Sequence, residues 1–175
     1  MSARDSQFAA MRPASYSQFS RVFGPAQLRK LKRTEQVAAV CYRQSKAGIQ
    51  FLLVRTRSGR WTFPKGSAEP GLTHAQSAAL EAFEEAGVHG RMEEFCFARY
   101  VYYKGGAMRK SGSQPLLVRA YLCEVLRLAQ PEESGRNPTW FSVAKTKRRL
   151  LQDRTPSSSA EMLRIVDVAV ARISE

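Results

Sequence analysis

Acidic residues are scarce in this chain: Lys and Arg number 28 against 15 Asp and Glu in 175 residues, a formal net charge of +13. Such an excess disfavours cationic partners and raises the local concentration of anionic ones, whether nucleic acid, an acidic membrane or phosphorylated small molecules. Cysteine is also scarce. Cys41, Cys96 and Cys123 are widely spaced in strand-like contexts, which excludes a disulfide framework and zinc-ligand spacing and leads us to expect a reducing cytoplasm. No apolar run approaches the roughly 20 residues of a membrane-spanning helix, and the apolar block of a secretory signal is missing from the first residues. A soluble cytoplasmic protein is the expectation. Acids are scarcest in residues 1–33, where Asp5 stands alone against seven basic residues and five serines. The stretch shares this composition with organelle transit peptides, but its early prolines and lack of a helical stripe favour a plain basic arm. The remainder, 43% hydrophobic and 25% charged over the chain, suits one globular domain spanning 34–175.

QVAAVCYR (36–43) and IQFLLVRTR (49–57) predict two strands and a turn. RWTFPKGSAEPG, with two prolines and two glycines, reads as a loop. THAQSAALEAFEEAG then changes period to that of a helix, with Thr73 and Gln76 as a capping box and Gly87 as its stop. Strands follow at 91–103 and 115–128, joined by the basic GGAMRKSGSQ. TWFSVAKTKRRLLQ predicts a short strand entering a helix, and 158–173 carries an apolar stripe at helical spacing, read as core or dimer contact. This order predicts a mixed α/β layer fold.

On the 74–86 helix, His74, Ser77, Glu81, Glu84 and Glu85 share one arc, while Ala75, Ala78, Ala79, Ala82, Phe83 and Ala86 take the other. Like charges at these spacings repel by roughly 0.2–0.5 kcal/mol per pair, and no Lys or Arg within the helix relieves them. A partner outside the helix is required. Mg²⁺ or Mn²⁺ is the natural one, since hard cations take carboxylate oxygens and substrate phosphates.

Taken over 66–88, loop and helix resemble the Nudix box of nucleoside-diphosphate-linked-moiety hydrolases, matching it at Gly66, Glu81, Glu84, Glu85, Gly87 and Val88. Leu72 and Leu80 depart from the pattern, standing where the family has Glu and Arg; an apolar pair in place of an ion pair is the expectation. Ala82 occupies the aliphatic position. The resemblance implies an α+β fold, an α/β/α sandwich with a mixed sheet between helices. It also implies hydrolysis of a phosphoanhydride, with Glu81, Glu84, Glu85 and the Gly66 carbonyl holding the metal. Glu84 or Glu85 serves as general base, with Glu85 favoured. WTFPKGSAEPG and EAFEEAGVHGR are most similar to the diphosphoinositol polyphosphate and diadenosine polyphosphate hydrolase branch. An inositol pyrophosphate, dinucleoside polyphosphate or related polyphosphate is therefore expected as substrate.

Cations near the box are candidates for its phosphates: Lys65 first, then Arg55, Arg57, Arg60, Lys104, Arg109, Lys110 and Arg119. Arg55 and Arg57 would share a face of one strand. Trp61, Tyr102 and Tyr103 read as core aromatics rather than a nucleobase platform. His74 is expected to face solvent, and TKRRLLQDR (146–154) to be a solvated basic face. Two other readings stay open. One is pyrophosphate removal from RNA 5′ ends. The other is a catalytically degenerate module of the same fold that binds nucleotide or nucleic acid through Arg12, Arg21, Arg29, Lys30, Lys32 and Arg33. Monomer and homodimer are equally compatible with the chain.

Overall fold

The computed structural model describes residues 35–103 and 115–175. The arm, Lys104, Arg109 and Lys110 lie outside the described residues, as do the side chains of Tyr102 and Tyr103. Within them the chain forms β1 (Glu35–Ser45), β2 (Gly48–Arg55), β3 (Trp61–Thr62), β4 (Lys65–Ser67), α1 (His74–Ala86), β5 (Val88–Met92), β6 (Ala98–Tyr103), β7 (Pro115–Leu128), β8 (Thr139–Ser142), α2 (Val143–Leu151) and α3 (Pro156–Ile173). The strands make one mixed sheet: β1 and β7 run parallel, and the other pairings are antiparallel.

Strand alternation divides the core into two layers. Ala38, Val40, Phe51, Leu53, Val118 and Leu122 face α2 and α3, meeting Leu150, Met162, Ile165, Val166 and Ala169. Val37, Ala39, Cys41, Leu52, Val54 and Tyr121 face α1, which presents Ala78, Ala82 and Ala86, all fully buried. Helix, mixed sheet and helices thus stack as the α/β/α sandwich that the Nudix-box resemblance implies, within the mixed α/β layer fold predicted from element order. The apolar stripe of α3 is spent on this core. Among the described residues no helix is long and apolar enough to cross a membrane.

Three local expectations need correction. The loop after β2 contains two short strands, β3 on β2 and β4 on β1. The strand expected at 91–103 is broken: β5 and β6 both pair with β7, but residues 93–97 bulge out between Met92↔Cys123 and Ala98↔Ala120. The Glu93 and Phe97 amides still donate to Leu122 O and Ala120 O at 2.9 and 3.0 Å, the Glu93 carboxylate meets Arg172 of α3 at 3.1 Å, and Phe95 is 80% exposed. Cys96 therefore sits in the bulge and not in a strand, whereas Cys41 and Cys123 are register partners on β1 and β7; all three are free thiols. Finally, β2 ends at Arg55, because the chain turns with the Gly59 amide donating to the Thr56 carbonyl at 2.8 Å. Arg57 lies on that turn, so strand alternation does not place it.

Candidate active site

Pairing of β4 with β1 sets Gly66 opposite Val37 and Lys65 opposite Ala38. Helix α1 then lies close to this edge, because its sheet-facing positions are alanines and serine. The approach is tight enough that a Cβ at Gly66 would stand 1.8 Å from Glu81 Oε1. Only glycine fits, and its backbone is brought against the Glu81 carboxylate. The bend leading into α1 is held by the Glu69 amide donating to buried Ser77 Oγ at 3.0 Å. Thr73 and Gln76 form the predicted capping box, with Gln76 N–H donating to Thr73 Oγ1 and Thr73 N–H to Gln76 Oε1. Leu72 stands 42% exposed, and Ser77 is a polar tie that holds this loop to α1.

The acidic helix face has its outside partner. Glu85, only 3% exposed, accepts the Lys65 amide at 3.2 Å and pairs with Arg136 Nη2 at 2.7 Å. Arg136 also pairs with Glu133 at 2.6 Å and donates from Nη1 to the Arg55 carbonyl at 3.4 Å. It arrives on the turn between β7 and β8. There the Ala129 amide donates to Gly87 O at 2.7 Å and the Glu133 amide to Glu84 O at 2.9 Å. Gly87 adopts φ 65° as the helix stop, and a Cβ there would meet Ala129 O at 2.0 Å.

Burial dominates the electrostatics. It raises Glu81 to about 7, with Glu85, Glu84 and Glu133 adding to the effect and Lys65 opposing it. Glu84 is raised by burial and by Glu132, Glu133 and Glu69. Glu85 is raised by burial, which outweighs Arg136 and the Lys65 amide. Lys65 is lowered to about 8, first by burial, against the pull of Glu85 and with Arg60 and Arg154 pressing the same way as burial. These carboxylates hold protons more tightly than free ones chiefly because burial strips them of water, and a hard divalent cation would favour their charged forms. Among the described residues no three His, Cys, Asp or Glu side chains already converge on one point. Glu85 would have to exchange Arg136 for the ion.

The predicted cations separate into groups. Arg55 and Arg57 line one cleft of about 780 Å³ together with Glu132, Glu133 and Arg136. Arg55 is fixed there by Gly59 O at 2.8 Å and by the Trp61 ring at 4.4 Å. Arg60 lies nearer Lys65 and Arg154; its Nε is buried without a partner, while Nη1 reaches Asp153 O at 3.5 Å. Arg154 donates to Trp61 O at 3.0 Å and Leu150 O at 2.5 Å. Arg119 is not brought to the carboxylates: it pairs with Glu35 at 3.3 Å, and Glu35 also meets His74 at 2.9 Å. His74 is thus tied to β1 and does not simply face solvent. Trp61 is 5% exposed and edge-packed on Phe141 at 5.0 Å, a core residue. Sequence reading missed Arg136, Glu133 and Arg154. Their one sequence signal is placement in turns, SGRNP and DRTP, where a lone Arg is set by backbone geometry rather than by a helix or strand period.

Residues 32–164 match the family model described as NUDIX domain. In structure the chain is similar to the Ap4A hydrolase of C. elegans in a binary complex, with TM-score 0.61 and 22% identity over 81% of this chain and 98% of that one. A NUDIX hydrolase from Nitrosomonas europaea gives TM-score 0.60 and 22% identity over 79% and 89%. The NUDIX domain of Shewanella oneidensis NrtR, complexed with ADP ribose, gives TM-score 0.59 and 16% identity over 91% and 99%.

Proposed function

The chain belongs to the NUDIX domain family and is an enzyme of the NUDIX hydrolase type, and from that premise we propose a metal-dependent pyrophosphohydrolase that cleaves a phosphoanhydride in a polyanionic substrate. Inositol pyrophosphates and dinucleoside polyphosphates are the favoured substrates. The observation that carries this reading is the juxtaposition of Glu81 with the Gly66 backbone, one helical turn from buried Glu85. The similar folds of an Ap4A hydrolase and of an ADP-ribose-bound domain support the substrate class. Residues 34–175 form the catalytic domain, 1–33 an accessory arm, and the cytoplasm, where free thiols persist, is the working compartment.

Glu81, Glu84, Glu85 and the Gly66 carbonyl would hold Mg²⁺ or Mn²⁺, which would supply polarisation of phosphoryl oxygens and a more acidic water. Arg55, Arg57 and Arg136 orient the outer phosphates across the cleft they line. Lys65 and Arg60 meet the phosphate nearer the glutamates, and the buried Arg60 Nε gains an acceptor there. Glu84 or Glu85 takes the water's proton, as the sequence suggests. Arg119, engaged by Glu35, acts at most at the periphery.

A phosphate-release panel of inositol pyrophosphates, dinucleoside polyphosphates, nucleoside diphosphate sugars and triphosphorylated RNA, run with Mg²⁺ and with Mn²⁺, tests the proposal. We expect turnover on one of the first two classes. Glu85→Gln and Glu81→Gln should lower it roughly 10²–10⁴-fold while circular dichroism stays unchanged. Full activity in either variant, or activity undiminished by EDTA, sinks it.

A further inference from the structure

Helix α2 carries a second cationic feature that the hydrolase chemistry does not use. Lys145, Arg148, Arg149 and Gln152 recur at helical spacing, so they share one face, while Thr146 and Leu150 bury the opposite one. That face is not a plain solvated surface, as the sequence led us to expect. With Trp140 and Phe141 it lines a cleft of about 410 Å³. Lys145, Arg148 and Arg149 are exposed, and among the described residues no ion pair involves any of them; Lys147, one step round the same helix, does pair with Asp167. Two guanidiniums nearby are already ordered over aromatic rings, Arg149 at 5.7 Å from Phe141 and Arg43 at 4.3 Å from Trp140.

We propose that this cleft binds the phosphodiester backbone of a single-stranded nucleic acid. At about 1.5 Å rise per residue, three cations within five positions span roughly 6 Å, close to one phosphate step, so they converge on one or two phosphates of a strand laid across the helix. Uncompensated charge provides attraction independent of base sequence. The outer faces of ring-ordered guanidiniums offer bases a stacking surface, which a bare phosphate chain would leave unused. The net charge of +13 steers long polyanions to such a site.

Full-length protein and a labelled oligoribonucleotide ending in a 5′ hydroxyl, which offers the hydrolase site no phosphoanhydride, test this by fluorescence anisotropy over a range of salt. Combining Lys145→Gln, Arg148→Gln and Arg149→Gln should flatten the slope of log affinity against log salt by about 1, the value for one or two phosphates of a single strand. Turnover of the small phosphoanhydride substrate should not change. Lys46→Gln, Arg91→Gln and Arg127→Gln remove the same charge elsewhere and should flatten the slope by less. An unchanged slope in the α2 variant, as when the arm alone binds, or equal flattening in the control, overturns the proposal. So does loss of inorganic tripolyphosphate binding without loss of oligonucleotide binding. Each of these outcomes leaves the hydrolase reading standing.

Discussion

Gly66 lacks a side chain where the Glu81 carboxylate stands, and this makes the glycine a chemical requirement as well as a turn former. Gly66→Ala forces Glu81 out of position. It should weaken Mn²⁺ binding by titration calorimetry at least tenfold and lower turnover with it; affinity equal to that of the parent chain would mean the contact is incidental. Arg136 poses the converse case. Removing it leaves buried Glu85 facing Glu133 and Glu81 without its main counter-charge. Arg136→Gln should cost about 3–5 kcal/mol in urea unfolding in the presence of EDTA, the usual penalty for orphaning a buried partner. Saturating Mn²⁺ should restore more stability to the variant than it adds to the parent, because the ion takes over the guanidinium's role. A smaller metal-induced gain in the variant would show that Arg136 and metal do not compete for Glu85.

At the scale of elements, α1 is held at both ends by local chemistry. Thr73→Ala removes the capping oxygen and should cost about 1 kcal/mol by urea unfolding. Gly87→Ala should cost more, since it strains a left-handed residue and strikes Ala129 O; a smaller loss than for Thr73→Ala would contradict this geometry. Both signals were legible in the sequence because capping depends on residues three or four apart. So were β1, β7 and α3, through period and β-branched content, whereas the sandwich came through the resemblance carried by residues 66–88. What could not be read depends on contacts distant in sequence. Nothing near Arg136 indicates that it meets Glu85, and nothing near Glu93 indicates that it pairs with Arg172. Strands β3 and β4 escaped because prolines and glycines flank them and their order comes from β2 and β1. Arg119 and Glu35 likewise pair across β7 and β1, so a cation that sequence proximity assigned to phosphate is spent on holding α1 to the sheet.

For the molecule as a whole, the buried ionisable groups set a pH profile. Glu81 holds its proton with a pKa of about 7 in the fold against an ordinary 4.5. The folded chain therefore carries more protons than the unfolded chain between these values, and this contribution to metal-free stability is lost as pH rises through the window. Lys65, lowered from 10.5 to about 8, acts oppositely: the unfolded chain carries more protons between those values, so stability is regained as pH rises there. Urea midpoints in EDTA should reflect both, and Glu81→Gln should lessen the first decline, to which raised Glu84 and Glu85 also contribute, while sparing the later recovery. An identical decline in that variant would assign the effect to other carboxylates. The segment after β7 hangs from the last turn of α1 by the amides of Ala129 and Glu133. Residues 129–136 thereby act as a bracket that carries one guanidinium to Glu85 and is closed on the other side by the Arg55 amide donating to Arg136 O at 2.6 Å, so insertion or deletion within it would withdraw that charge from the glutamates and loosen the end of β2 together.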